Sequence, residues 1–90
     1  MGTFHQGRDP LHGITVVVET DGPELYVGRC DDVDERGVIL HDADVHRGGE
    51  GEAPRAKYLE NATRFGVWKK FDRIVVPRAR VTAIRRLGEL

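Results

Sequence analysis

Ile14, Val16 and Val18 alternate with Thr15, Val17 and Glu19, the period-two signature of a half-buried strand rich in β-branched side chains. Asp21-Gly22-Pro23 breaks the pattern. Glycine accepts a positive φ and proline fixes its own, so the chain turns and re-extends as a hairpin. A second strand over 24–33 carries Gly28 in its interior, where a missing side chain marks a bulge, a sharp bend or a close backbone approach. Asp34-Glu35-Arg36-Gly37 forms the next turn, and a third strand over 38–46 ends at Arg47-Gly48-Gly49. Pro77 cannot donate a ladder hydrogen bond, so Pro77-Arg78-Ala79 reads as a tight turn between strands at 73–76 and 80–86.

Two patterns compete over residues 47–72, a stretch too long to be structureless in so small a domain. Ala56, Leu59, Ala62 and Phe65 have the spacing of a short helix. Val67, Phe71 and Val75 instead share the parity of a fourth strand that begins well before Arg73, and this early strand start is the favoured expectation. The result is an all-β fold: five short strands in a strongly bent small barrel, closed or nearly so, because closure removes exposed edges. Residues 1–10, polar with two glycines and a proline, read as a flexible N-terminal arm with at most a turn near 10–12. Residues 11–90 read as the barrel domain, with 47–72 as an insertion.

Composition adds a strong asymmetry. Residues 1–53 hold 4 basic and 12 acidic side chains, a formal −8, whereas residues 54–90 hold 10 basic and 3 acidic, +7, and the overall −1 conceals both. Such halves suit a basic surface for a polyanion, or self-association of one copy's basic part with another's acidic part. A domain of 90 residues buries only about 60% of its unfolded surface, and oligomerisation would relieve that shortage. The single cysteine, Cys30, excludes an intramolecular disulfide and reads as a small core residue. With no long apolar run and no hydrophobic signal core at the N-terminus, a cytoplasmic protein without membrane partners is expected.

In order and spacing the chain resembles the Sm-like (LSm) family over about residues 11–87. Val16-Val17-Val18-Glu19 with Asp21-Gly22 is similar to the family's opening strand and turn, Gly28 to its second-strand glycine, and Asp34 to its turn aspartate. Val38-Ile39-Leu40 continues as the third strand, and Ile74-Val75-Val76 followed by Val81 and Ile84 resembles the closing pair. The resemblance implies a bent barrel of the SH3-like class and a homo-oligomeric ring. In that ring the fourth strand of one protomer pairs with the fifth of the next, and the two turns face a central pore. It also implies contact with single-stranded RNA at those turns, here Asp34, Arg36, Gly37, Arg78 and Arg80. Two departures stand out. The family's RNA-binding asparagine has no counterpart, Gly37 occupying its place, and the arginine-glycine pair of the second motif reads Pro77-Arg78. The other expectation is therefore a structural or protein-interaction ring without nucleic acid.

The chemistry within the strands narrows the options further. Arg36, Arg78 and Arg80 can each offer bidentate hydrogen bonds to phosphate or base edges, repeated around a ring, or else remain solvated and pair with Asp34 and Glu35 of a neighbour. Phe65, Trp68 and Phe71 interleave with Arg64, Lys69, Lys70 and Arg73. The favoured reading is that these aromatics cap the core or fill a protomer interface; secondary RNA contacts at Trp68, Lys69 and Lys70 are the alternative. His41-Asp42-Ala43-Asp44-Val45-His46 resembles a metal cluster, but on a strand Asp42, Asp44 and His46 share one face at about 6.6 Å spacing, so a solvated outer face is expected. No nucleophile is oriented by a neighbour and no glycine-rich loop precedes a helix, so neither an enzyme nor a cofactor is expected.

Overall fold

The computed structural model describes residues 10–48 and 54–90. Five antiparallel strands form one sheet: β1 (Thr15–Thr20), β2 (Glu24–Asp34), β3 (Gly37–Arg47), β4 (Phe71–Pro77) and β5 (Val81–Arg86), in the order β4-β3-β2-β1-β5. A single helix, α1 (Arg55–Phe65), lies between β3 and β4. A turn occupies residues 10–13, and most of the arm expected over 1–10 lies outside the described residues.

The sheet is rolled. β4 and β5 are opposite edges, which in a flat sheet would stand about 19 Å apart. Only the 3₁₀ turn Arg78–Arg80 joins them, and at about 2 Å per residue it spans roughly 8 Å. The two edges must converge at that end. They do not pair, so of the closed or nearly closed barrel expected from the sequence, closure is corrected: the sheet is rolled with an open seam. The reason lies in the backbone donors nearest the seam. Pro77 has no N–H, the Arg78 amide donates to the Arg36 carbonyl at 3.0 Å, and the Val81 amide is taken by the carbonyl of Arg78.

Two register shifts bend the middle of the sheet. Between the pairs Val27↔Asp44 and Arg29↔His41, β3 carries one extra residue, and between Cys30↔Leu40 and Asp32↔Ile39 the extra residue is on β2. Asp42, with φ 51°, turns the strand at the first shift. Gly28 sits opposite it because any Cβ there would lie 2.7 Å from Ala43 Cβ. The bulge also exchanges faces. Leu40 and Ala43, of opposite parity, therefore join the same core with Val16, Val18, Cys30, Val38 and Val76.

The other face buries Val17, Leu25 and Val27 beneath α1 and the C-terminal 3₁₀ turn Leu87–Glu89, with Tyr58, Leu59, Ala62 and Leu87 as the covering side chains. An 11-residue helix is marginal alone in water, so this packing holds it. Gly66, at φ 92°, ends it by donating to the Ala62 carbonyl at 3.0 Å. The early-strand expectation for the insertion is thus corrected: the helix forms over Arg55–Phe65, and β4 starts at Phe71, two residues before Arg73.

Candidate nucleic-acid interface

The turn after β2 and the turn after β4 meet. Gly37 pairs with Pro77 across the β3–β4 ladder, and the Arg36 carbonyl receives the Arg78 amide. Gly37 is required by its backbone. Its φ is 139°, and a Cβ would collide with the Val76 carbonyl oxygen and stand 2.8 Å from the Arg78 nitrogen. Beside this junction opens a groove of about 440 Å³ walled by Val33, Val38, Val81 and Ile84, with Asp34, Glu35 and Arg78 on its rim. Four of the five residues expected to contact RNA, Asp34, Arg36, Gly37 and Arg78, are therefore together at one end of the sheet.

Their charges are not equally available. Asp34 caps its own turn by accepting the Arg36 amide at 2.8 Å, and its Oδ2 receives the Arg36 guanidinium at 2.8 Å. Those bonds hold the Asp34 carboxyl below the usual carboxylate range and push the Arg36 guanidinium up. Arg78 makes no ion pair among the described residues. Arg80, on the far side of the 3₁₀ turn, reaches back to the β1–β2 hairpin, donating to Asp21 at 2.8 Å and Glu24 at 2.9 Å, while its carbonyl accepts the Asp21 amide. It clamps the hairpin and does not join Arg36 and Arg78.

Trp68, Lys69 and Lys70 lie at the opposite end of β4, which by strand rise is about 20 Å from the turns. Lys69 is shared by Asp72 at 2.9 Å and Asp42 at 3.6 Å, and Lys70 approaches Asp44 at 3.6 Å. Phe65 and Trp68 are 76% and 79% exposed, so these two aromatics do not cap the core, and of the three only Phe71 is partly buried.

The sequence-based account of 41–46 is corrected too. Asp44 and His46 are 7% and 3% exposed, not a solvated face, because the bulge at Asp42 turns them toward α1. Tyr58 stacks on His46 with ring centroids 4.5 Å apart and donates its hydroxyl to Asp44 at 2.8 Å. Desolvation first, and the Asp44 bond second, push the Tyr58 phenol well above its usual range. Among the described residues no group of three or more His, Cys, Asp or Glu is arranged to hold a metal, and no helix is long and apolar enough to cross a membrane.

The two oppositely charged halves of the chain neutralise each other within it. Arg80 with Asp21 and Glu24, Arg85 with Glu19 at 2.6 Å, Lys69 with Asp42, and Lys70 with Asp44 all join the basic half to the acidic half. The apolar walls of the groove, from β2, β3 and β5, were not anticipated as a site; Val81 and Ile84 stood out in the sequence only as part of the closing-strand resemblance. No protein-family model matches the chain, and no curated protein matches it.

Proposed function

We propose that this chain is an Sm-like module that assembles into a homo-oligomeric ring through the free edges of β4 and β5 and binds single-stranded RNA at the groove between its two converging turns. The observation that carries this reading is the bond from the Arg78 amide to the Arg36 carbonyl. It brings a cation with no ion pair among the described residues beside an apolar trough that suits a base face. The two edge strands supply the assembly. A sheet whose edges are open offers backbone donors and acceptors to another copy, and a small domain gains core by pairing them. Repetition of a weak groove around a ring raises its avidity.

A second reading, an assembly module without nucleic acid, is favoured by the internal pairing of Arg36 and Arg80. One titration separates the two. Fluorescence anisotropy with labelled oligo-U and oligo-A at low salt should show saturable binding to the wild type that weakens steeply as salt rises. Arg78→Ala should reduce affinity by about 10-fold, the loss of one charge-assisted contact. Absence of binding at low salt overturns the RNA reading and leaves the assembly reading, which is tested by mass in solution.

A further inference from the structure

We propose that the groove between the two turns selects guanine, with the Glu35 carboxylate reading the Watson–Crick edge of the base. This rests on the RNA reading proposed above and names the base that the same groove takes. Its walls, Val33, Val38, Val81 and Ile84, carry no hydrogen-bonding side chain, so they can cover the faces of any base and distinguish none. Discrimination falls to the rim, where Asp34, Glu35 and Arg78 stand. Asp34 is committed to its own turn, with Oδ1 accepting the Arg36 amide and Oδ2 the Arg36 guanidinium. The side chains of Glu35 and Arg78 make no hydrogen bond or ion pair among the described residues. Glu35 is exposed, yet its backbone is held: Asp34 pairs with Gly37 across the hairpin, and the Asp34 cap closes the turn over Glu35. A free carboxylate therefore leaves a fixed point at the mouth of the groove.

A carboxylate only accepts, so it selects the base that offers donors. Guanine alone offers two side by side, N1–H and the N2 amino group, which match the two carboxylate oxygens. Adenine and cytosine present one amino group beside a ring acceptor. Uracil presents one N–H between two carbonyls, whose oxygens repel a carboxylate. Arg78 has the opposite character, donors without an acceptor, and takes the phosphate. A carboxylate on this rim disfavours a phosphate and suits a base edge, so the two free side chains of the groove divide the nucleotide between them.

Anisotropy at low salt with labelled uridine hexamers, one all-uridine and others carrying a single central guanosine, inosine or adenosine, measures the preference. The guanosine hexamer should bind the wild type about 10-fold more tightly than the all-uridine one. Inosine keeps N1–H and lacks the N2 amino group, so its hexamer should fall between the two. Glu35→Ala should remove the preference. Glu35→Gln, whose amide both donates and accepts as the uracil edge requires, should bind the all-uridine hexamer more tightly than the wild type does. Position 35 is exposed on a turn, and circular dichroism checks that both variants fold. Equal binding of the guanosine and all-uridine hexamers, an inosine hexamer that binds as tightly as the guanosine one, or a preference that survives Glu35→Ala overturns the guanine assignment while the RNA reading stands. No binding of any hexamer at low salt overturns both.

Discussion

The turn end of the sheet and the face under α1 are built from similar chemistry, a carboxylate with a basic and a hydrogen-bonding neighbour, and they differ in what surrounds it. Asp34 meets Arg36 in water, within one turn. Asp44 meets Tyr58 and Lys70 beneath a helix, with His46 stacked alongside. An exposed pair is screened and loses little when broken, whereas a buried carboxylate deprived of its donor keeps its desolvation cost. The polar groups under α1 thus fasten the insertion to the sheet, and those at the turn pair with each other in contact with solvent. At the turn end it is the backbone that cannot change.

The largest effect follows from that backbone. Gly37→Val places a branched side chain at φ 139° against the Val76 carbonyl and the Arg78 amide. Strained φ and overpacking together should cost at least about 3 kcal/mol. Urea denaturation monitored by far-UV circular dichroism measures it. A variant as stable as the wild type would mean that the Arg36–Arg78 junction is not held by close backbone approach, and the contrast between the regions would fail.

The helix-covered face gives the intermediate effect. Tyr58→Phe removes a hydrogen bond to a buried carboxylate that, among the described residues, keeps only Lys70 as an ion-pair partner, and should cost about 1.5 kcal/mol, the lower end for bonds to charged groups. It should also change the alkaline limb of stability. Because the folded-state pKa of Tyr58 is raised above 10.0, its contribution is fully present below pH 10 and fades as pH climbs toward the higher folded value. Wild type should therefore lose stability faster than Tyr58→Phe above pH 10, in denaturation curves recorded from pH 8 to 11. Parallel curves would place Tyr58 away from Asp44 in solution.

The strands and turns of the first half were legible because their signals are local. Alternation from Ile14 to Glu19, Asp21-Gly22-Pro23 and Asp34 to Gly37 each act within a few residues. Errors began where a single residue had distant consequences. The extra residue at Asp42 exchanges the faces of β3, so a parity count carried past it placed Asp44 and His46 in solvent. The apolar spacing around Leu59 suits a helix only because Val17, Leu25 and Val27 wait beneath it, and no local pattern states that. The turn residues of the candidate site were visible one by one. Their meeting was not, since it depends on ladder pairing, and neither was the capture of Arg80 by carboxylates 59 and 56 positions away. The charge split between halves did carry that information, but it described cohesion within one chain as well as attraction between molecules.

The smallest effect on stability is expected at the Asp34–Arg36 pair, where it comes with the opposite effect on binding. Asp34→Asn keeps an oxygen to accept the Arg36 amide, so the turn persists, while the ion pair is lost. Since the folded-state pKa of Asp34 is lowered, its contribution exists above 3.8 and disappears as pH falls through the lower folded value. The group is exposed, so wild type and variant should unfold at indistinguishable denaturant midpoints near neutral pH and separate only slightly under acid conditions. Binding should strengthen, because the variant removes a negative charge from the groove rim and releases Arg36 to a phosphate. One added phosphate contact on a single strand would steepen the slope of log K against log salt by about 0.7. Asp44→Asn, the same substitution under the helix, should lose stability without that steeper slope. If Asp34→Asn instead weakened RNA binding, the Arg36 guanidinium would be serving the ligand through its carboxylate partner, and the turn end would resemble the buried face after all.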